Sequence, residues 1–481
     1  MKIKLFSVLA ILAIALAGFG PSTAVAQSPA YDTAFTTSIT YQNVDTAATT
    51  SLHILFYADQ TSTTPIDITR PNLAAGAGTS VYIGDPSLPI TDGFRGSAVM
   101  QADKLLVATL VQVPQSTTVK NRPLSNGFAS GAPTALIATV LKNTFNSSTL
   151  FSVQNTDTVA NVITVRFYNT SAAQVHSLTA TIQAGASYYV DAGEVAELGT
   201  SFNGSVVVDA KRSDGTTNGS IVATAMELST NANAASAFEG VAAGGTVFYM
   251  PAALCGAFGG QNTAYAVQNT SLTGATNVTV TYSNGATETK LIGAGSKQSF
   301  VACNASGMTS GFSGSATITS DTTAIIAIGK AYGLGLSTAF LGAATGAAKL
   351  ALPYVRWSQS QYTTGARQRS NIAIQNIGDA AIPAGGLLVD YYDKTGALVF
   401  THTVNPTAEI AIGAKANSNP YVTQNAAAAE FGYYTDNTFG GSAVVRCTAA
   451  NCEIVAVVRV SSISVATAET VAEDYNGIPV P

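Results

Sequence analysis

Residues 202–210 read FNGSVVVDA, and this stretch decides the fold because the chain repeats its pattern three more times. Each copy consists of an aromatic residue, any residue, Gly and Ser, and then a run that favours a strand. The other copies are FRGSAVMQA from Phe94, FSGSATITS from Phe312 and FGGSAVVRC from Phe439. Side chains that alternate after the Ser, as Val206 and Val208 do, are typical of a strand with one buried face.

A second motif, Gln-Asn at the end of a strand, recurs once in each repeat at intervals of 107 to 114 residues. Its copies are Gln42-Asn43, Gln154-Asn155, Gln268-Asn269 and Gln375-Asn376. A β-rich run with aromatic residues and a turn follows each copy, as in VRFYNT and VDYYDKTG. Short strands separated by turn residues predict an all-β protein of four tandem antiparallel, Ig-like β-sandwich domains.

These repeats, together with the first 26 residues, define five segments of the chain. We predict a signal peptide over 1–26, and β-sandwich repeats over 27–124, 125–237, 238–339 and 340–481, the last with a C-terminal tail. The signal peptide is indicated by Lys2 and Lys4, an apolar run from Leu5 to Phe19, and the small residues of Ala24-Val25-Ala26 before Gln27.

The signal peptide and the composition together predict where the protein works and which partners it lacks. The apolar run is short for a membrane span, so we expect cleavage, secretion to the cell surface or beyond, and no span afterwards. Only 10% of the residues are charged, and the net charge is −5. Nucleic acid is an unexpected partner, because its phosphates require clustered Lys and Arg.

Gly and Ser of the aromatic-x-Gly-Ser motif have a structural interpretation and a functional one. We expect Gly to adopt a backbone conformation that residues with a Cβ avoid, and Ser to bind free backbone groups of the turn. A repeated binding loop is the functional alternative. The structural interpretation is preferred, because the strand after each motif supplies core residues.

A third element, an aromatic residue followed closely by Gly, occurs near each predicted boundary. The copies are Phe128 before Gly131, Phe238-Glu-Gly240, Phe340-Leu-Gly342 and Tyr475-Asn-Gly477. We interpret them as first strands of the following unit. Unit one then lacks such a strand, and the tail Tyr475–Pro481 is one without a unit. Alternatively, the tail folds back on unit four and residues 27–38 close unit one.

Motifs for catalysis or metal binding are not found, so we predict no catalytic residue, cofactor or metal. His53, His176 and His402 lie in three different units, whereas metal ligands converge on one site. The close carboxylate pairs are assigned to turns or connections, and Asp214 to a hairpin turn. Trp357, beside Arg356, could stack on a sugar but is expected to pack instead. The pairs are Glu194 with Glu197, Asp390 with Asp393, and Glu469 with Glu473.

The four cysteines predict two disulfides. Cys447 and Cys452 flank a short hairpin, and Cys255 and Cys303 both fall in unit three. In an exported protein, two bridges within units are favoured over free thiols or a zinc site. Four cysteines allow three pairings, and the sequence leaves the other two open.

The order of the motifs resembles a known group of proteins. VQN, then VTVxFYN, a GxS stretch, FxGSxxV and a hairpin into IVAxx is similar to the tandem β-sandwich repeats of bacterial cell-surface proteins, some of them in S-layers or envelope coats. The resemblance covers nearly all of the chain after the signal peptide. It implies architecture and location, and it transfers no catalytic residue.

We therefore expect an exported, non-enzymatic structural protein that self-associates into a coat or fibre, with cell-envelope glycan as a further potential partner. In that assembly the tail residues Tyr475, Gly477, Ile478 and Val480 would add a strand to unit one of the next subunit. An adhesin or glycan-binding surface protein is the first alternative. A secreted enzyme with a site between domains is the second.

Overall fold

A computed structural model describes residues 34–115, 119, 121–229, 234–334, 336–358, 368–423, 440–463 and 470–481. The predicted signal peptide lies outside these residues. Eight antiparallel sheets pair into four β-sandwiches, which confirms the predicted all-β fold. The helices of the described part are three short 3-10 turns at Ala196–Leu198, Ala302–Asn304 and Pro420–Thr423. None of its helices is long and apolar enough to cross a bilayer.

Unit one contains seven strands in two sheets, ordered β4-β1-β6-β7 and β3-β2-β5. Its core includes Ile39, Tyr41, Ile54 and Phe56, which are inward-facing residues of the two sheets. The strands are β1 Phe35–Asn43, β2 Leu52–Tyr57, β3 Ile66–Thr69, β4 Gly78–Tyr82, β5 Ser97–Ala102, β6 Leu106–Pro114 and β7 Leu124–Asn126.

Unit two contains eight strands, in sheets β11-β10-β13-β8 and β12-β9-β14-β15. Strand β13 carries the motif FNGSVVVDA and pairs with β10 and β8 on its two sides. The strands are β8 Thr134–Lys142, β9 Ser147–Asn155, β10 Asn161–Asn169, β11 Gln174–Ile182, β12 Ser187–Asp191, β13 Phe202–Arg212, β14 Ile221–Ser229 and β15 Ala235–Glu239.

Unit three repeats this topology, with sheets β16-β21-β18-β19 and β20-β17-β22-β23. The strands are β16 Val247–Cys255, β17 Asn262–Asn269, β18 Thr276–Tyr282, β19 Thr287–Ile292, β20 Lys297–Val301, β21 Phe312–Ser320, β22 Ile325–Gly333 and β23 Leu336–Leu341.

Unit four adds one short strand to the same plan, in sheets β27-β26-β29-β24-β32 and β28-β25-β30-β31. The strands are β24 Lys349–Val355, β25 Gln368–Asn376, β26 Leu387–Asp393, β27 Leu398–Val404, β28 Lys415–Ser418, β29 Gly441–Cys447, β30 Ile454–Ile463, β31 Thr470–Asn476 and β32 Ile478–Pro479.

The aromatic-Gly elements belong to the preceding unit, so their interpretation as first strands of the next unit is wrong. Strand β15, with Phe238, pairs with β14, and β23, with Phe340, pairs with β22. The Gly after each last strand donates its N–H to a carbonyl of the neighbouring strand at 2.8 or 2.9 Å. The donors and acceptors are Gly127 to Ala108, Gly240 to Ala223, Gly342 to Ala327, and Gly477 to Ala456. In unit one the repeated position is therefore Ser125-Asn-Gly127, one residue before Phe128.

The true first strands are β8, β16 and β24, and each pairs with the strand of the aromatic-x-Gly-Ser motif. Within the described residues unit one has no such strand, so β5 lies at the edge of its sheet. The expectation that unit one lacks a first strand therefore holds for the described chain. It was derived, however, from the aromatic-Gly elements, which are not first strands.

The Asn of each Gln-Asn motif ties the end of its strand to two loops. Its side-chain amide donates to a carbonyl four or five residues on and to another that precedes strand β4, β12, β20 or β28 in its unit. Its side-chain oxygen accepts the N–H two residues on. The paired acceptors are Ala47 and Leu73 for Asn43, Val159 and Ile182 for Asn155, Gly274 and Ile292 for Asn269, and Ala380 and Ile410 for Asn376. This bonding explains why every unit has Asn at that position.

The Gly of the aromatic-x-Gly-Ser motif is required for close approach, not for an unusual backbone conformation. Gly96, Gly204 and Gly314 do not have positive φ angles, so that expectation is wrong. A Cβ at Gly204 would lie 2.1 Å from the carbonyl oxygen of Tyr168 and 2.3 Å from the ring of Phe202. The aromatic ring of the motif folds over its own Gly, and a larger side chain would displace it.

The four units close into a ring. The last strands β7, β15, β23 and β31 pack successively against one another, and β31 also packs against β7. Outside this centre, first strands cover the Gln-Asn sheet of the following unit. Strand β8 packs on β17 and β22, β16 packs on β25 and β30, and β24 packs on β1 and β6.

Candidate functional site

The centre of the ring is a buried polar layer built by the last strands. One position of this layer recurs in all four units, directly before the Gly that follows strands β7, β15, β23 and β31. It is occupied by Asn126, Glu239, Leu341 and Asn476. The Asn476 side chain exchanges two 2.9 Å hydrogen bonds with the backbone of Leu341. The side-chain amide of Asn126 donates to the carbonyl of Asn476 at 2.8 Å. Asn476 therefore links three units.

Two buried carboxyl groups lie in this layer beside backbone donors from unit one. The N–H of Asn126 donates to Glu239, and the N–H of Arg122 donates to Glu473. Burial raises the pKa of both carboxyl groups to about 7, and the hydrogen bond to Glu239 and the charge of Arg122 near Glu473 only partly oppose it. Both groups consequently titrate near neutral pH.

A neighbouring ion pair within unit four accepts a hydrogen bond from unit three. The guanidinium of Arg459 donates to both carboxylate oxygens of Asp474, at 2.9 and 2.7 Å. The hydroxyl of Thr338 donates to the same carboxylate at 2.7 Å. Asp474 is almost fully buried, and a guanidinium and a hydroxyl satisfy its carboxylate from two sides.

A second buried cluster joins units two and three. The ammonium of Lys330 donates to both oxygens of Glu227 at 2.7 and 2.6 Å. Lys297 donates to the hydroxyl of Thr139 at 3.0 Å. Burial, together with the charge of Lys330, lowers the pKa of Lys297 to about 7. Both clusters have the character of structural contacts between units, because every charged group in them faces a partner.

The Gln and Ser of the two repeated motifs also meet between units. Ser97 donates to the carbonyl of Gly185 in the next unit at 2.8 Å, and Gln154 donates to the same carbonyl at 3.0 Å. Ser315 and Gln375 share the carbonyl of Gly413 in the same way. The motif Ser was expected to bind its own turn, but Ser97 and Ser315 bond across the interface, and the buried hydroxyls of Ser205 and Ser442 have no hydrogen-bond partner in the described part of the chain.

A cleft of about 2120 Å³ opens between units one and two. One wall is formed by residues 94–102, which include the edge strand β5. The opposite wall includes Leu150, Val222 and Met226 of strands β9 and β14. In the other units a first strand occupies this place, and in unit one no described strand occupies it.

Both predicted disulfides are present. Cys255 is bonded to Cys303 across 48 residues, and Cys447 to Cys452 across 5 residues. The first bridge links the end of β16 to the 3-10 turn after β20, and the second closes the hairpin between β29 and β30. Disulfides are typical of proteins in an oxidising compartment.

The tail residues lie in unit four. Tyr475 is buried in β31 and donates its hydroxyl to the carbonyl of Tyr354 at 2.8 Å. Ile478 pairs with Ala351, and Val480 packs with Ala351 and Val107. The arrangement is the one weighed as the alternative, in which the tail folds back on its own unit.

The remaining candidate residues are dispersed. His53 bonds Asp67 at 2.9 Å, and His402 bonds Ser418 at 2.8 Å. The nearest acidic oxygen to His176, that of Glu197, lies 3.9 Å away. Trp357 is buried as expected, stacked on Tyr421 with ring centroids 5.6 Å apart.

The carboxylate pairs need two corrections. Asp393 and Asp214 accept N–H groups of their turns, as predicted. Asp390 instead forms an ion pair with Arg446, which lies on the paired strand β29, two residues from Val444, the residue opposite Asp390. Glu473 lies in β31 and not in a connection, whereas its predicted partner Glu469 falls outside the described residues.

Sequence reasoning missed the central layer, although a signal for it exists. The residue before the recurring Gly reads Asn126, Glu239, Leu341 and Asn476, so three of four copies place a polar side chain in a buried strand. A polar residue that recurs at one core position indicates a shared hydrogen-bonding site.

No protein-family model matches the chain, and no curated protein matches its sequence. Within the described ranges, no three His, Cys, Asp or Glu side chains lie close enough to hold a metal ion.

Proposed function

We propose that this chain is an exported, non-enzymatic structural protein of the bacterial surface or extracellular matrix that associates with further copies of itself into a coat or fibre. The observation that supports the proposal is the repeated packing of one sandwich on the next. First strands cover the Gln-Asn sheet of the next unit at three successive positions of the ring. A surface that already binds a homologous sandwich within the chain is suited to bind one in another copy.

The tail is the proposed connector, through Tyr475, Gly477, Ile478 and Val480. Exchange would move β32 from its own β24 to the open edge of β5 in the next subunit, a heterologous contact that forms fibres or rings. Because Tyr475 is a core residue of unit four, exchange beginning at Ile478 disturbs the donor least.

The test is electron microscopy and solution mass of the chain from Gln27 onward. We expect filaments or a lattice, and a lower mass after deletion of residues 478–481. Deletion of 475–481 is the harsher comparison, because it also removes Tyr475. A monomer at all concentrations would contradict self-association. Assembly that is unchanged by either deletion would exclude the tail as connector.

Glycan binding is a second candidate, favoured by the composition of the cleft between units one and two. The guanidinium of Arg95 lies 4.7 Å from the centre of the Tyr189 ring, and Asp191 and Glu194 line the same wall. Aromatic faces beside carboxylates are suited to sugars. A panel of envelope glycans tested against the wild type and Tyr189→Ala would separate this candidate from assembly.

A further inference from the structure

Three hairpin loops place an exposed apolar residue in the left-handed region of the backbone. Phe145, Phe258 and Leu334 have φ angles of 53°, 49° and 53°, and they are 76%, 70% and 58% exposed. Bulky side chains avoid this region because the Cβ approaches the following carbonyl oxygen. The chain therefore holds three large apolar side chains in strained positions in which they contribute little to its own core. We call these residues the apolar tips.

The turn at Phe145 shows the conflict between sequence and backbone most clearly. Thr144 and Ser147 exchange two backbone hydrogen bonds of 3.1 and 3.0 Å, and Phe145 and Asn146 between them both have positive φ. This geometry is that of a two-residue type I′ turn, which favours Asn, Asp or Gly at both positions. Strained residues that the fold does not require indicate a function outside the fold.

The last strands β7, β15 and β23 run in the same direction, so their first residues lie on one face of the ring. Asn121, just before β7, accepts the N–H of Ala235 at the start of β15 at 2.8 Å. Its side-chain amide donates to the carbonyl of Ser337, near the start of β23, at 3.1 Å. The last residues of the same strands meet in the polar layer. We call the side of the ring on which these strands begin the starting face.

All three apolar tips belong to loops on the starting face. Strand β9 begins at Ser147, directly after the Phe145 loop, and pairs there with the end of β14, which leads into β15. Strand β17 begins after the Phe258 loop and pairs there with the end of β22, which leads through the Leu334 turn into β23. A Cβ at Gly259 would lie 3.7 Å from the Leu334 side chain, so the latter two tips are neighbours. Units two and three therefore each present one apolar point on the same face.

We propose that the apolar tips insert into the interfacial region of a lipid bilayer and attach the starting face to a membrane. The two Phe side chains together expose about 300 Å², whereas a stable protein interface buries about 800 Å² on each partner. A protein partner would also need a pocket for each separate point. A bilayer accepts apolar side chains wherever they protrude, and its affinity grows with the apolar area inserted. The inference does not depend on self-association, whose proposed contacts lie at the tail and β5.

The charges near the apolar tips favour neutral lipids. The three loops contain no charged residue, so no charge has to leave water when they insert; they are NTFNS at 143–147, GAFGGQ at 256–261 and GLGL at 333–336. The neighbouring 3-10 turn carries the exposed carboxylate of Glu197, and the bond from Asn143 to the carbonyl of Thr200 ties this region to the first loop. With a net charge of −5, the chain should bind zwitterionic lipids more tightly than anionic ones.

The experiment measures co-flotation of the chain from Gln27 with vesicles of phosphatidylcholine. The double variant Phe145→Asn with Phe258→Asn should bind at least tenfold more weakly than the wild type, because it removes both aromatic side chains. Asn tolerates the left-handed backbone, so the double variant should unfold at the same or a higher urea concentration. Vesicles that also contain phosphatidylglycerol should bind the wild type more weakly.

The matched control is Leu291→Asn in β19. Leu291 is 64% exposed, and it lies at the opposite end of unit three, next to the carbonyl of Ile292 that the side chain of Asn269 binds. The control therefore removes a comparable apolar side chain away from the starting face. Its vesicle binding should equal that of the wild type.

A fluorescent tip reports insertion directly. Phe258→Trp adds an exposed indole to a chain whose single native tryptophan, Trp357, is buried. In the free chain, iodide should quench the emission of the added indole. On addition of phosphatidylcholine vesicles the emission should shift to shorter wavelength, and brominated acyl chains should then quench it.

Four kinds of result would overturn the proposal. Absence of binding to phosphatidylcholine vesicles, or equal binding of the wild type and the double variant, would show that the apolar tips do not hold the chain on lipid. Tighter binding to the anionic vesicles would assign the contact to charge. An added indole that iodide cannot reach in the free chain would show that other residues cover the tip. A solution mass that falls in the double variant without lipid would identify a second copy as the partner of this face.

Discussion

At the scale of single residues, three-dimensional contacts explain why certain residues recur in every unit, and some of these contacts could not be predicted from the sequence. The Asn of each Gln-Asn motif has a local role, and its regular spacing made it easy to find. The Gly of the aromatic-x-Gly-Ser motif was found but misinterpreted, because its requirement comes from a carbonyl of the adjacent strand. A close approach between strands depends on three-dimensional pairing, which no local pattern encodes.

Substitution of a motif Gly should destabilise its unit. At Gly204 a Cβ would collide with the Tyr168 carbonyl oxygen and the Phe202 ring. We expect Gly204→Ala to lower the free energy of unfolding by about 1–3 kcal/mol, measured by urea denaturation. Gly274→Ala is the control, since its nearest neighbour would lie 3.4 Å away, and it should change stability by less than about 0.5 kcal/mol. Equal effects of the two substitutions would contradict the crowding argument.

The buried carboxyl groups predict a pH dependence of stability. Because folding raises the pKa of Glu239 and Glu473 to about 7, their contribution is fully present below about pH 4.5 and is lost as the pH rises through 7. Each carboxyl group would account for about 3 kcal/mol over that interval. Lys297, whose pKa is lowered to about 7, acts in the opposite direction only above that pH, between about 7 and 10.5.

The measurement is urea unfolding of the wild type at several pH values between 4.5 and 7. Stability should fall across this interval, and the slope should be smaller in Glu239→Gln and smallest in the double variant with Glu473→Gln. A wild-type stability that is constant or rises across the interval would show that the two carboxyl groups are ionised in the folded protein.

At the scale of strands, the sequence predicts well where strands occur, but it predicts poorly to which unit a strand near a boundary belongs. Alternation identified strands such as β10, β13 and β30, and the four-unit arrangement followed from their order. The assignment of Phe238 and Phe340 to the next unit failed because a strand near a boundary can pair on either side. The connections 127–133, 240–246 and 342–348 have seven residues each, and this regularity was hidden by the choice of Phe128 as the repeated residue.

The two disulfides should contribute unequally to stability. In the chain-entropy account, a bridge across 48 residues restricts the unfolded chain more than one across 5 residues. We expect Cys255→Ala with Cys303→Ala to cost about 4 kcal/mol, and Cys447→Ala with Cys452→Ala about 2 kcal/mol. Urea unfolding of both double variants measures the two losses of unfolding free energy. A larger loss on removal of the Cys447–Cys452 bridge would contradict the prediction.

At the scale of the whole molecule, hydrogen bonds in the polar centre connect the four sandwiches to one another in a ring. The sequence predicted boundaries near residues 125, 238 and 340, but the contact between the units was not predicted, because its one signal is the recurring polar residue before the last Gly of each unit. Contacts between residues hundreds of positions apart, such as Asn126 with Asn476, leave a trace only in the composition of core positions.

Limited proteolysis tests both the boundaries and the ring. Among the three described connections between units, 127–133 is the most exposed, so of these chymotrypsin should cut first at 127–133, after Phe128. The fragments should remain together on size-exclusion chromatography, because β7 and β31 still pack against each other. Fragments that separate without denaturant would show that the central layer does not hold the units together, and early cuts inside β13 or β21 would contradict the sandwich boundaries.

The position of β31 in the chain sets the order in which the protein can mature. Units one to three can form their sheets as they are synthesised, but the polar layer stays open until residues 470–476 emerge. The contacts that then form span 350 and 351 residues, so their loop-closure entropy is offset only when the earlier sandwiches already hold their ends near each other. Newly made chains should therefore pass through a stage with three folded sandwiches and exposed Asn126 and Glu239, in which premature release from the ribosome or translocation machinery leaves the molecule open.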